Sequence, residues 1–232
     1  MTDPSLLRLR VEYCKQGRLA LLSHLEVARA LERAVRRAGL PFAVSQGFSP
    51  HMRIAFGAAL PVGIGGTCEL FDLLLVRYVA PDAAVKALRE ASVPDLMVRS
   101  CRYIEHTAPA ASVAFPVSTY VAEFSCAPAA LPVPAQVSLV RKKKERTLEV
   151  EEFLVGRPRL AGRLLTFELE AKPSGSLRPD VLVRRICAGA AGQDVGPVAF
   201  CVQNEAPGDG KAAAPAVRSI TRTAQREGAG AR

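Results

Sequence analysis

The stretch Ser23–Ala38, SHLEVARALERAVRRA, constrains the fold of this chain more than any other. Ser23 and Glu26 have the spacing of a capping box, in which the hydroxyl takes the N3 amide and the carboxylate reaches back to the N-cap amide. Gly39 ends the helix so begun, and Pro41 prevents its restart. Val27, Leu31, Ala34, Val35 and Ala38 recur at steps of three and four, which makes one apolar stripe that must face a core.

The flanking segments supply a sheet for that stripe. Leu6–Cys14 alternates apolar and polar residues with the period of a strand. After the loop Ser45–His51, Met52–Leu60 and Thr67–Val79 read as two strands joined by the glycine-rich PVGIGG connection. Pro81–Ala91 is a second helix with proline at its start, and Asp95–His106 returns as a strand. Strand, helix, strand, strand, helix, strand is the order of the split-βαβ, ferredoxin-like unit, an antiparallel sheet with both helices on one face.

Thr107–Pro116, rich in Ala, Pro and Ser, reads as a linker. Beyond it, Pro116–Cys126 is strand-like, and Ala127–Pro134 holds three prolines and cannot be a regular helix. Thr147–Val155 and Gly162–Ala171 are strand-like, Arg178–Ala188 reads as a helix, and Val195–Asn204 as a closing strand. The expected fold class is therefore α+β, with two tandem ferredoxin-like βαββαβ units over residues 6–106 and 116–205. The second is degenerate, its first helix short, displaced or missing. Residues 206–232 are Gly, Ala, Pro and Arg without periodicity and read as a disordered basic tail.

Charge narrows the partners. The chain carries a net charge of +9 and a pI near 9.6, which favours an anionic partner, nucleic acid foremost. Between Lys15 and Arg53 seven Lys and Arg face two Glu, so more than half of the net charge lies there. Arg29, Arg33, Arg36 and Arg37 repeat at helical spacing on a second face of the helix. Read plainly, this is a solvated face, helped by a Glu32–Arg36 pair and by cations near the C-terminal end of the dipole. Read functionally, the guanidinium row holds phosphate oxygens through forked hydrogen bonds. The loop SQGFSPH adds Ser45, Gln46, Gly47 and His51, with the backbone amides of Gln46, Gly47 and Phe48, and Arg53 follows it. Lys142 and Lys143 sit in the run RKKKER, which is either a solvated loop tip or a finger on phosphates.

His24 and His51, with Ser23, are the candidates for acid–base chemistry on a ribose hydroxyl, since an imidazole titrates near neutrality. Structural anchoring of helix start and loop is the competing reading of both. Glu69 and Asp72, three apart on a strand, point to opposite faces, so at most one of them meets an Arg or His of the loop. The PVGIGGT stretch joins strand to strand and is not a nucleotide fingerprint. Six cysteines are spread singly, with no Cys-x-x-Cys and no Cys/His cluster, so they read as buried reduced thiols, and neither a metal nor another cofactor is expected. With no membrane-length apolar run and no signal-peptide layout, the chain is expected to be cytoplasmic.

The run RLALLSHLEVARALERAVRRAGLPFAVSQGFSPHMRIAF, continued by ALPVGIGGTCELFDLLL, resembles the radical-SAM-linked protein family, a bacterial domain found alone or fused behind a radical S-adenosylmethionine enzyme. The resemblance covers most of residues 6–205 and is most specific at LSHLE, ERAVRRAGLP, SQGFSPH and ALPVG. Met52, Val44 and Leu70 depart from it, the last two where aromatic residues are common. The resemblance implies a radical SAM enzyme as partner. Joined to the basic helix and loop, it gives the expected function: a non-catalytic RNA-binding accessory protein that holds transfer or ribosomal RNA for that enzyme. A metal-independent ribonuclease using His24 and His51, and a docking module whose arginines meet an acidic protein face, are the alternatives.

Overall fold

In the computed structural model, which describes residues 5–141, 144–206 and 214–227, the chain is a mixed α+β protein with mostly antiparallel strands and few helices. It divides into two units, Met1–Phe115 and Pro116–Arg232.

The first unit runs β1 (Leu7–Lys15), α1 (His24–Arg37), β2 (Ile54–Phe56), β3 (Ile64–Leu75), α2 (Pro81–Ala91), β4 (Val98–Ile104) and a single turn α3 (Ala111–Ala114). Its strands lie in the order β4-β1-β3-β2, each pair antiparallel. Register follows from the alternation: Leu9 pairs with Leu73 and Val11 with Phe71, which puts these four on one face. They are fully buried with Val27, Leu31 and Val35 of α1 and with Ala84 and Leu88 of α2, so both helices cover the same side of the sheet. Each large side chain in this cluster contributes about 1.5–3 kcal/mol by leaving water. The intervening residues, Arg8 and Arg10 of β1 and Asp72 and Leu74 of β3, take the opposite face.

The start of α1 is the capping box that the spacing implies. The Glu26 amide donates to Ser23 Oγ, and the Ser23 amide donates to Glu26 Oε2 at 2.8 Å. The Ser23 hydroxyl donates to the same oxygen, and these two bonds from Ser23 hold the Glu26 carboxyl below its usual range.

Three expectations for this unit change. The strand expected over Met52–Leu60 is confined to β2, because Gly57 donates to the Leu70 carbonyl and the chain then leaves the sheet to reach Ala20, whose carbonyl accepts from Gly63. Gly65 and Gly66, read as part of a connection, belong to β3. A Cβ at Gly66 would stand 2.2 Å from Glu69 Oε1, so the glycine there makes room for a buried carboxylate. Thr107–Pro116, read as a linker, packs on the first unit: it carries α3, and the carbonyls of Ala108 and Pro109 accept from Arg8 and Arg10.

The second unit contains β5 (Val117–Phe124), β6 (Ala130–Pro134), β7 (Gln136–Arg141), β8 (Lys144–Glu149), the single turn α4 (Val150–Phe153), β9 (Leu154–Ala161), β10 (Leu164–Glu170), α5 (Pro179–Ala190), β11 (Val198–Gln203) and β12 (Val217–Arg226). Its main sheet has the order β12-β5-β10-β9, while β6 pairs with β11 and β7 with β8. Tyr120 of β5 and Phe167 of β10 are register partners and stack at 5.6 Å in the buried layer. Where the first unit has α1, this one has a strand, a hairpin and α4.

The closing strand of this sheet is β12, not the expected Val195–Asn204 segment, which instead forms a separate ribbon with β6. Residues 217–226, expected to be disordered, thus form a strand against β5. Residues 207–213 and 228–232 of the same tail lie outside the described residues. Two register shifts, between Val217 and Ser219 and between Arg222 and Ala224, break the period-two pattern and hide this strand from a reading of alternation.

An ion pair ties β12 across β5 to β10: Arg226 Nη2 donates to Glu168 Oε2 at 2.6 Å. That bond, with one from Thr119, holds the Glu168 carboxyl below its usual 4.5. A depressed folded-state value means a contribution that is complete above the unfolded value and is lost as pH falls through the folded one. Urea unfolding at a series of pH values is therefore expected to show stability falling below about pH 4.5. Glu168→Gln should flatten that part of the curve. An identical acid limb in the variant would remove the pair from the account.

Candidate nucleic-acid interface

The arginine row of α1 splits into two kinds. Arg29 and Arg33 are exposed and make no hydrogen bond or ion pair among the described residues. Arg36 lies 3.7 Å from Glu32 and over the ring of Phe42 at 5.9 Å. Arg37 donates to the Ala91 carbonyl and so closes the C-terminal end of α2. Arg33 is thus free for an anion, Arg29 makes no hydrogen bond but shares its charge with the Glu26 carboxylate, and two guanidiniums are engaged in the fold.

The SQGFSPH loop is closed at its neck. The Ser45 amide donates to the His51 carbonyl at 2.8 Å, and the His51 amide returns to Ser45 Oγ at 3.0 Å. Just below, Ala43 donates to Leu74, Leu74 to Arg53, and Arg53 to Ala43, which fastens the neck to β3. Gly47, at φ +127, takes a backbone conformation that favours glycine. The amides of Gln46, Gly47 and Phe48 donate to no described residue. Phe48 stands wholly exposed at the tip (relative exposure 111%). A ring held on a tied loop with no protein surface to cover it forgoes burial worth about 2 kcal/mol, and such positions carry binding more often than packing.

His24 and His51 are not brought together. His24 meets the ring of Phe56 edge-on at 5.5 Å and lines a small cavity of about 10 Å3, room for one water, with Tyr13, Lys15 and Glu69. His51 faces Ser49 of its own loop, Nε2 to Oγ 3.5 Å. The Ser23 hydroxyl is spent on the helix cap. Among the described residues no hydrogen bond links these three side chains. Lys15 and Glu69, both buried and both engaged, were not singled out together by the sequence; their signal is a charge at an apolar-face position of each strand.

A second cluster also escapes a reading by motif. On the face opposite the helices, Asp72 accepts from Arg8 Nη2 at 2.6 Å and from Arg10 Nε and Nη2 at 2.7 and 2.9 Å. The arginines also donate to backbone carbonyls, Arg8 to Ala108 and Arg10 to Pro109. The partner of the carboxylate is thus β1, not the loop. Beside the cluster a cavity of about 280 Å3 is lined by Arg8, Arg53, Ile54, Ala55, Asp72, Leu74 and His106.

Lys142 and Lys143 lie outside the described residues. Among the described residues no three His, Cys, Asp or Glu side chains gather as a metal site requires. None of the six cysteines is in a disulfide. Only Cys14 is buried, Cys201 is exposed, and the rest lie between, so the expected burial of all six gives way to a graded one. Burial, with the neighbouring Cys126, pushes the Cys187 thiol up to about 11, which leaves it unreactive near neutrality. No helix among the described residues is long and apolar enough to cross a membrane.

Fold and surface together define an α+β protein that presents exposed guanidiniums and a bare aromatic loop from its first unit. Residues 8–173 match the model of a family described as uncharacterised protein conserved in bacteria, DUF2344, and the chain belongs to that family. A search of the curated proteins gives no match.

Proposed function

We propose that this protein is an RNA-binding accessory factor that holds a structured RNA, of the transfer or ribosomal kind, for a partner radical SAM enzyme. The observation that carries the reading is Phe48, presented bare on a loop tied shut between Ser45 and His51, with free amide donors around it. Sequence-specific RNA recognition targets unpaired bases that splay out and stack on aromatic rings. A base stacked on Phe48 would lie against the amides of Gln46 and Gly47, and Arg29, Arg33 and Arg53 supply charge for phosphates. No catalytic group is required of the chain, in keeping with the separation of His24 from His51.

The partner enters through the resemblance of the LSHLE and SQGFSPH segments to radical-SAM-linked proteins. Leu21, Leu25 and Val62, all more than half exposed, support a protein contact near the start of α1. The spatial order shared by the two sheets supports reading both units as ferredoxin-like, the second with its first helix replaced.

The reading is tested by RNA affinity measured against salt. Three phosphate contacts on a single strand give a slope of log K on log salt of about −2. Arg29→Glu combined with Arg33→Glu should bring the slope to about −0.7 or shallower, the value of the one contact left at Arg53, and weaken binding at every salt concentration. Affinity that does not change between about 50 and 200 mM salt would overturn the proposal.

A further inference from the structure

We infer that Tyr78 is a second stacking platform for an unpaired nucleobase, so that one single-stranded stretch of RNA reaches from Phe48 to Tyr78. This site rests on the RNA-binding reading and extends it to a residue outside the first contact. Tyr78 lies just beyond β3 and stacks on Tyr103 of β4, with ring centroids 5.2 Å apart and an interplanar angle of 26°. Tyr103 is pinned from behind. Its hydroxyl accepts from the Val79 amide at 3.0 Å and donates to the Val79 carbonyl at 2.9 Å. The inner ring is therefore fixed, and the outer ring rests on it.

The outer ring stays in water: Tyr78 is 64% exposed. In the Tyr120–Phe167 stack of the second unit both rings are buried and serve a core. In the Tyr78–Tyr103 stack one face of the outer ring is filled and the rest of it is left open. An open ring face on a fixed support is what a splayed base stacks on, and a tyrosine already held in place loses little rotamer freedom when the base arrives.

The position of Tyr78 ties it to the SQGFSPH loop. The neck of that loop is fastened to Leu74. In the adjoining residues Phe42 bridges Leu75, and the Val76 amide donates to the Pro41 carbonyl at 2.9 Å. Phe48 and Tyr78 thus extend from neighbouring points of one antiparallel pairing. Six residues separate Phe42 from Phe48 and three separate Leu75 from Tyr78. Full extension of both segments, with one strand spacing between them, puts the two Cα atoms within about 37 Å. A strand of about twelve nucleotides, at roughly 3.4 Å per stacked step, spans that distance.

Fluorescence anisotropy with labelled dodecauridylate, on wild type, Tyr78→Leu and Tyr78→Phe, tests the site. Leucine keeps an apolar side chain over Tyr103, so the urea midpoint should hold while affinity falls about fivefold to a hundredfold. Phenylalanine keeps the ring and should keep most of the affinity. Tyrosine emission, read with unlabelled dodecauridylate, gives an independent signal, since the chain has four tyrosines and no tryptophan, and Tyr13 and Tyr120 are buried. RNA should quench that emission in wild type, and most of the quenching should vanish in Tyr78→Phe although the RNA is still bound. Dodecauridylate bound equally by wild type and Tyr78→Leu, with emission unmoved, overturns this site and leaves the RNA-binding reading standing. Affinity lost in Tyr78→Leu together with the urea midpoint makes the ring structural and overturns it as well. A wild type that binds an RNA hairpin but not dodecauridylate overturns this site alone, and one that binds neither overturns both.

Discussion

Replacing Asp72 with asparagine is expected to lower the unfolding free energy by about 3–5 kcal/mol, the usual cost of removing one partner from a buried ion cluster. Asp72 is buried, and it is the shared acceptor of Arg8 and Arg10, whose side chains are 13% and 6% exposed. Removing its charge leaves two guanidiniums out of water without a counter-charge, with one amide oxygen and backbone carbonyls as acceptors. Arg10 also lies over the ring of Phe115 at 5.4 Å, so the loss would loosen the 107–115 segment that covers this face. Urea unfolding of both proteins measures the change. A loss below about 1 kcal/mol is what an exposed pair gives, and it would show that the cluster is solvated. Arg8→Met and Arg10→Met added to Asp72→Leu should recover most of the stability, since apolar replacement of a whole buried cluster is often neutral.

Phe48→Ala is expected to behave in the opposite way. The ring touches nothing in the fold, so unfolding should be unchanged. RNA affinity should fall by about 1–3 kcal/mol, the value of one base stacked on an aromatic side chain, or about fivefold to a hundredfold. Phe48→Tyr keeps a ring of the same size and should retain most of the affinity. Direct binding by fluorescence anisotropy with a labelled RNA hairpin reads both. Equal affinities for wild type and Phe48→Ala would remove the loop tip from the interface and leave only the arginines.

The contrast between these two residues also marks how far the sequence could be read. Helix α1 was legible to its first residue because its signals are local: the Ser23–Glu26 box, the apolar stripe and Gly39 all act within a turn or two of where they stand. Helix α2 was legible for the same reason. Asp72 was not, because its role depends on a register that places β3 against β1, and nothing near residue 72 in sequence names Arg8 or Arg10. The arginine row was read as one set. Tertiary packing divides it, with Arg37 drawn to the end of α2 and Arg36 to Phe42. Strand β12 was missed because its two register shifts put successive apolar residues out of phase, and its polar composition looked like a tail. Glycines misled at residues 65 and 66, which belong to β3; at Gly66 the lack of a side chain serves Glu69 and not a turn. The loop 45–51 was singled out from its composition, but that Phe48 would be the ring left bare required seeing its neck tied off at Ser45 and His51.

The central claim is that RNA is held at the SQGFSPH loop, and ultraviolet crosslinking of the tagged protein in its native cells tests it most directly. The crosslinked peptide is mapped, the attached RNA sequenced and co-purifying proteins identified from the same sample. The account predicts one RNA class enriched over total RNA, crosslinked to the peptide that contains Phe48, and recovered with a radical SAM enzyme. Absence of RNA, or RNA recovered equally from Phe48→Ala and from Arg29→Glu/Arg33→Glu, would contradict it.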